Sequence, residues 1–185
     1  MIDHFGLIAP IYDKAIPFSR LQKMIELLDL PVDGILLDAG GGTGRVTIGL
    51  KPYLQNIFVT DLSEKMLTQS IQKGLPALKA ILEHLPYAID TFDRVIMVDA
   101  LHHVYDQSET IQELLRVLKP GGILLIEEPD LMTWQVKILA IVEKLLLMRS
   151  HFLSPEEICR IIPAGYSVDL KREGYNSWII VKKMI

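Results

Sequence analysis

The sequence contains one cysteine, Cys159, so it can form no disulfide within the chain and offers no cysteine cluster for a structural zinc ion. Positive charge is also scarce, because 19 Lys and Arg side chains stand against 23 Asp and Glu, for a formal net charge of -4 at pH 7. A broad nucleic-acid or anionic-membrane surface needs clustered basic residues. Residues 1–5 lack the basic start of a signal peptide. We therefore expect a cytoplasmic protein without a metal site or a nucleic-acid partner.

A long uninterrupted apolar run is absent as well. The most hydrophobic stretch, 131–148, is broken by Lys137, Glu143 and Lys144, which makes it too charged for a transmembrane helix. We predict a helix here, within a segment 131–152 that forms either a lid over a substrate or an interface with a second copy of the chain. Ordinary core packing is the third interpretation. A homodimer is thus one of the expected arrangements.

What the sequence does have is 50% hydrophobic residues among 185, enough for one core with helices on both faces of a sheet. We expect a single domain over 1–185. Seven strands are predicted, at 35–39, 57–61, 78–82, 92–99, 122–127, 166–172 and 176–182. Helix-like segments separate the first five, which predicts an α/β, Rossmann-like, doubly wound and mostly parallel sheet. Residues 172–175 leave no room for a crossover helix, so the last two strands are predicted to form an antiparallel edge hairpin.

A cluster of glycines interrupts an apolar run at 36–45. Strand-like residues precede the cluster and helical spacing follows it, so we predict a strand, a tight turn and a helix. Gly40, Gly42 and Gly44 remove side chains where backbone must pass under a ligand, and glycine tolerates the positive φ values of such turns. Turn glycines occur in any βα unit, but this spacing beside the acidic Asp38 favours a nucleotide-like ligand.

The spacing of the glycines excludes two common nucleotide sites. A dinucleotide fingerprint needs a further glycine where this chain has Arg45 or Thr47, depending on which pair of glycines is counted. A phosphate-binding P-loop needs a lysine after its last glycine, whereas Gly44 is followed by Arg45. A second acid, Asp61, ends the next apolar run and can accept hydrogen bonds from both ribose hydroxyls. The alternative for this aspartate is a place beside a helix cap at Ser63.

Four motifs occur in a fixed order along the chain. They are a glycine motif, an acidic motif, a Leu-Pro and Phe-Asp signature and a Pro-Gly-Gly motif, at 36–44, 61–67, 84–95 and 115–122. Together they resemble the class I S-adenosylmethionine-dependent methyltransferases, and the final segment resembles the usual ending of that family. The resemblance implies S-adenosylmethionine (SAM) as the cofactor, methyl transfer in one displacement, and S-adenosylhomocysteine (SAH) as the product.

The resemblance also implies an adenine site. In the family, residues at the positions of Leu62 and Met66 lie near the adenine, and the alternative for Met66 is the core face of its helix. An acid often stands just before the Leu-Pro pair, but this chain has Ile81 there. Two replacements are candidates, namely the backbone of Leu82 and the carboxyl of Glu83, which we expect on the same strand face as Ile81.

The fourth predicted strand ends in Asp99 at the edge where open α/β sheets bind their ligands, and His102 and His103 follow. Asp99 is a candidate cofactor contact. A histidine here could act as a general base, since its pKa suits proton transfer near neutrality, and His103 is the stronger candidate. The alternative is a loop histidine hydrogen-bonded to backbone, because the family has a histidine here that is not a shared catalytic base.

Residues 5–13 resemble the start of quinone-pathway C-methyltransferases, in which Ala-x-x-Tyr-Asp precedes the domain. Tyr12 would then close over cofactor or substrate, and the alternative is a cover helix within 1–30 that packs on the core. This resemblance predicts a small-molecule acceptor that is hydrophobic or quinone-like. The competing function is a non-catalytic protein that binds SAM or regulates a partner, for which the missing acid at position 81 leaves room.

Overall fold

Seven strands form one sheet in the computed structural model, which describes Gly6, Ala9 and residues 12–15, 18–130 and 150–184. The strands are β1 Val32–Ala39, β2 Leu54–Asp61, β3 Ala77–Lys79, β4 Phe92–Val98, β5 Leu118–Pro129, β6 Tyr166–Glu173 and β7 Asn176–Lys183. The described α-helices are α1 Tyr12–Ala15, α2 Leu21–Leu27, α3 Thr47–Leu50, α4 Glu64–Gln72, α5 Gln107–Val117 and α6 Pro155–Ile161. Short 3-10 turns lie at Lys51–Tyr53 and Leu101–His103.

The strand order is β3-β2-β1-β4-β5-β7-β6. The first five of these strands pair in parallel, and β7 is antiparallel to both β5 and β6. The predicted α/β, mostly parallel sheet with an antiparallel edge hairpin is therefore confirmed. The strand order reverses between β1 and β4, so the ligand cleft of such a sheet lies outside the carboxyl ends of these two strands.

Helices cover both faces of the sheet, because its central strands are apolar on both sides. On one face, α2, α3 and α4 bury Met24, Leu50 and Leu67. On the other face, α5 and α6 bury Ile111 and Ile158. The two layers hold the strand ends in place and leave the carboxyl edge to the connecting loops, which carry the candidate site.

Three helices begin at polar caps. The side chains of Ser63, Asp106 and Ser154 accept hydrogen bonds from the backbone N–H groups at the starts of α4, α5 and α6. At α6 the cap is a full capping box, since Glu157 also accepts from the Ser154 backbone N–H at 2.7 Å. These local signals fix where α4 and α5 start. Helix α4 follows the end of β2 closely, and α5 follows the loop that leaves the end of β4.

The third strand differs from its prediction. It ends at Lys79 rather than at residue 82, because the chain turns after Ala80 donates its backbone N–H to the Asp61 carbonyl at 3.2 Å. Residues 80–91 form turns and no helix, whereas a helix-like segment was expected before the fourth strand. The predicted helix 131–148 lies outside the described residues. Within the described ranges, no helix is both long and apolar enough to cross a bilayer.

Candidate functional site

The glycine turn lies at the carboxyl end of β1 and has the predicted conformation. Gly40, Gly42 and Gly44 have φ values of 75°, 53° and 72°. A Cβ atom on Gly40 would lie 2.6 Å from the Cβ of Ala100, closer than real Cβ atoms approach. Side chains are therefore excluded at Gly40 by contact and at all three positions by backbone conformation. The result is a turn whose backbone a ligand can approach closely.

Asp61 links this turn to the next helix. Its Oδ2 accepts the Gly42 backbone N–H at 3.0 Å, and its Oδ1 accepts the Ser63 backbone N–H at 2.8 Å. The two interpretations of Asp61 are thus compatible, because the same carboxylate that supports the cap residue of α4 also lies at the glycine turn.

Asp38 lies beneath the turn. Its carboxyl is almost fully buried and accepts a hydrogen bond from the Thr47 hydroxyl of α3. A Cβ atom on Gly41 would lie 2.5 Å from the Asp38 Cγ, so the carboxyl underlies the turn directly. Burial raises the pKa of Asp38 to about 6, while the Thr47 hydrogen bond and the charge of Arg45 oppose that shift. The contacts shown for Asp38 support the backbone of the turn.

The predicted adenine residue Leu62 is exposed, as is Ile81 at the position of the missing acid, whereas the predicted residues Met66 and Leu82 are buried. Leu62 and Ile81 are 48% and 46% exposed, which is unusual for large apolar side chains. They follow the paired strand ends Asp61 and Lys79 by one and two residues, so both lie at the same corner of the sheet. Met66 and Leu82 are buried. Leu82 lies against the turn, since its Cδ1 would be 3.6 Å from a Cβ atom on Gly40.

Glu83 has a different position from the one expected. It lies outside β3, so it does not share a strand face with Ile81. Its buried carboxyl accepts the backbone N–H groups of Tyr105 and Asp106 at 2.7 and 3.1 Å. Because Asp106 caps α5, Glu83 holds the loop between β4 and α5 in place.

Arg45 is a site residue that the sequence analysis missed. Its Nη2 donates to the Asp99 Oδ2 at 2.8 Å, and its guanidinium lies 5.7 Å from the centroid of the Tyr12 ring. Burial raises the pKa of Tyr12, and the charge of Arg45 opposes that shift. Asp99 has a φ of 52°, a strained value for a residue other than glycine. Arg45 thus brings two predicted residues, Tyr12 and Asp99, to one place beside the turn.

A second contact fastens the N-terminal segment to the turn. Asp13 of α1 accepts a hydrogen bond from the Thr43 hydroxyl at 2.5 Å and pairs with the Lys73 ammonium. Lys73 also donates to the Thr43 carbonyl at 2.6 Å. These contacts hold α1 over the glycine turn, where a cover over a bound ligand was expected.

The two histidines have different surroundings. His102 is buried, its Nδ1 lies 2.5 Å from the Glu128 Oε2, and its ring stacks on Phe152 with centroids 4.2 Å apart. Glu128 also accepts the backbone N–H groups of Ala100 and Leu101, so His102 belongs to a structural connection between β4 and β5. His103 is half-buried, and its Nδ1 lies 3.3 Å from the hydroxyl of Ser150. His103 therefore remains the candidate general base.

The comparisons with known proteins agree with this geometry. The methyltransferase domain family matches residues 37–126, from β1 through β5. The ubiquinone/menaquinone biosynthesis C-methyltransferase UbiE of Syntrophotalea carbinolica is 37% identical over 140 residues, which cover 67% of this chain and 59% of that protein. A 2-methyl-6-phytyl-1,4-hydroquinone methyltransferase of Oryza sativa subsp. japonica is 37% identical over 94 residues, or 48% of this chain and 28% of that protein. The chain therefore spans less than two thirds of these relatives.

Solved structures share the whole fold. A SAM-dependent methyltransferase of Thermotoga maritima, described as a possible histamine N-methyltransferase, is 25% identical with a TM-score of 0.82 over 97% of this chain and 98% of that chain. A structure of a methyltransferase with the Haloferax volcanii Trm112 activator gives a TM-score of 0.83 over 100% of both chains at 16% identity, which shows a common fold. The ordered motifs, the sheet and these matches together support a class I S-adenosylmethionine-dependent methyltransferase, a family whose cofactor is SAM.

Proposed function

We propose that this chain binds SAM at the glycine turn and transfers its methyl group to a small hydrophobic acceptor. The observation that carries the proposal is the Asp61 carboxylate, which the backbone N–H groups of Gly42 and Ser63 hold at the carboxyl end of β2. This position fits the two hydroxyls of a ribose, and the side-chain-free backbone at Gly40 lets the ligand lie against the turn. The residues present therefore fit the cofactor of the family.

The adenine ring fits the corner formed by Leu62 and Ile81. A flat ring bound here would remove these exposed apolar side chains from water, which is favourable. The backbone near Leu82 offers polar groups to the edge of the ring. Glu83 is the weaker candidate, because its carboxyl is buried and faces the backbone N–H groups of Tyr105 and Asp106. We propose that apolar contact at Ile81 replaces the acid that the family often has there.

Bound SAM would supply an activated methyl group that an acceptor nucleophile displaces in one step. The chain's own task is to hold the acceptor in line with that methyl group, and such positioning can lower a barrier by several kcal/mol. The ring centroids of Tyr12 and Phe18 lie 5.7 and 5.6 Å from the guanidinium carbon of Arg45. We propose that this aromatic pair covers the β4 side of the cleft.

The acceptor class rests on the relatives and on this cover. Two relatives are named for ubiquinone/menaquinone biosynthesis and for a phytyl hydroquinone, both of which involve apolar ring compounds. The aromatic residues over the cleft suit such a ring better than a charged polymer. We propose a hydrophobic, quinone-like small molecule as the acceptor.

Calorimetric titration with SAM and SAH tests the cofactor, and SAH release over a panel of phenols, quinols and amines tests the transfer. We expect both ligands to bind and NADH not to compete. Absence of SAM binding would overturn the proposed function. Tight SAM binding without SAH release from any acceptor would favour the non-catalytic alternative.

A further inference from the structure

Two buried polar atoms on β5 and β7 lack hydrogen-bond partners among the described residues. They are the Oε2 of Glu127 and the Nε1 of Trp178, and both residues are 0% exposed. The two residues face each other directly across the antiparallel pair, so their side chains leave the sheet on the same face. Leaving such atoms unpaired in a buried place is unfavourable, because they have given up their hydrogen bonds to water. Two such atoms on paired residues of one sheet face indicate a site for a polar group.

The other oxygen of Glu127 is fully engaged. Its Oε1 accepts from the Asn176 Nδ2 at 3.0 Å and from the Arg20 Nε. Burial raises the pKa of Glu127 to about 8, the charge of Asp99 adds to that shift, and the charges of Arg20 and Arg45 oppose it. Burial thus favours the protonated form of this carboxyl, and a proton fits on Oε2, because two donors already occupy Oε1.

This pair lies beside the cofactor turn. Glu127 pairs with Val98 at the end of β4, and its carbonyl accepts the Asp99 backbone N–H at 2.9 Å. The pairing of Asp38 with Ile96 puts Gly40 at the same level of the sheet, two strands away. Two strand spacings are roughly 10 Å, a distance that a SAM methyl group and a small acceptor can span together.

We propose that the Glu127 Oε2 and the Trp178 Nε1 bind one oxygen substituent, a hydroxyl or carbonyl oxygen, on the ring of the methyl acceptor. This inference rests on the proposed function and names the polar contact of the same site. With the proton on Oε2, both atoms are donors, and one such oxygen has two lone pairs to receive them. Arg20, which precedes α2, closes this position from the N-terminal side.

The test uses SAH-saturated protein at pH 6.5 and two probes of equal shape, 4-ethylphenol and 4-ethyltoluene. The chain has two tryptophans, so a nitrogen-15 spectrum shows two indole N–H signals, and Trp178→Phe identifies the one from Trp178. We expect the phenol to bind at least about tenfold more tightly than the toluene and to shift the Trp178 signal. Tenfold corresponds to about 1.4 kcal/mol, which is the size of one net hydrogen bond.

Three variants separate this role from a purely structural one. Glu127→Gln should keep the preference for the phenol, since its amide oxygen replaces Oε1 and its NH2 group donates from the place of Oε2. Glu127→Met should abolish the preference, and Trp178→Phe should reduce it to about threefold or less.

Each variant is accepted only if its SAH affinity matches the parent, which reports that the cofactor site is folded. Equal affinity of the parent for the two probes, or an unchanged preference in both Glu127→Met and Trp178→Phe, would overturn the inference. Failure of the parent to bind SAH would instead overturn the proposed function.

Discussion

Replacing Asp61 by Asn changes one charged acceptor and leaves the shape of the side chain nearly intact. In the structure, Oδ1 and Oδ2 accept the Ser63 and Gly42 backbone N–H groups at 2.8 and 3.0 Å. An amide has one oxygen, so one of these N–H groups would face an NH2 group, and a ribose would lose an ionised acceptor. Hydrogen bonds to charged groups contribute about 1.5–3 kcal/mol. We expect SAM and SAH to bind about 1 to 3 kcal/mol more weakly, or roughly 5- to 150-fold.

Calorimetric titration of the parent and Asp61→Asn with SAH measures this change directly. The matched control is Glu64→Gln, which alters an acid three residues away, at the first position of α4. Its side chain is 80% exposed and pairs with Lys79 at 3.2 Å, and exposed pairs contribute about 0–1 kcal/mol. The control should therefore bind SAH with about the parent affinity.

A thermal melt without ligand separates lost affinity from lost folding, because the Asp61 contacts also support the start of α4. If Asp61→Asn stays folded and binds SAH within about twofold of the parent, the assignment of Asp61 to the ribose is wrong. Its role is then only to connect the glycine turn to the start of α4.

Three further predictions follow from the same site. Changing His103, the candidate base, to Ala should lower turnover about a hundredfold without changing SAM affinity. If the variant turns over as fast as the parent at both pH 6 and pH 8, His103 is not the base. Because Glu127 ordinarily titrates near 4.5 and in the folded chain near 8, the unfolded state loses its proton first. Stability should therefore fall from pH 5 to 8 by roughly 3 to 4 kcal/mol at most, and urea denaturation of Glu127→Gln should lack this slope. Ile81→Asp restores an acid beside the adenine and should tighten SAM binding about two- to tenfold by calorimetry, whereas weaker binding would contradict an adenine at this corner.

The parts of the site that were predicted correctly have local signals. The turn at Gly40 and Gly42 follows from the spacing of the glycines, and the strand before it follows from the apolar run. A stretch of ten residues, 36–45, is enough to predict both. The cap at Ser63 is equally local. The third strand was placed too far along because Ile81 and Leu82 continue an apolar run after the backbone has already turned, and their alternation does not reveal which one is exposed.

The parts that were missed depend on distant residues. In the sequence, Arg45 is notable only because it stands where other nucleotide motifs need a glycine or a lysine. Its partners Tyr12 and Asp99 are 33 and 54 residues away. The pairing of His102 with Glu128 joins residues 26 apart. Such contacts follow from strand order and register, which composition and periodicity do not specify.

The reversed direction of β7 separates the two recognition tasks along the chain. Because β7 runs against β5, its first residues, Asn176 and Trp178, rather than its last ones, stand at the edge where the parallel strands end. The proposed ribose and adenine contacts lie before residue 100, and the proposed polar contacts to the acceptor oxygen lie after residue 126, with Arg20 and the end of β4 beside them. A recombinant that exchanges the segment after β4 with that of a relative should therefore inherit a new acceptor preference while its nucleotide affinity stays parental. Cofactor specificity and acceptor specificity can therefore change independently, although one continuous sheet carries the residues for both.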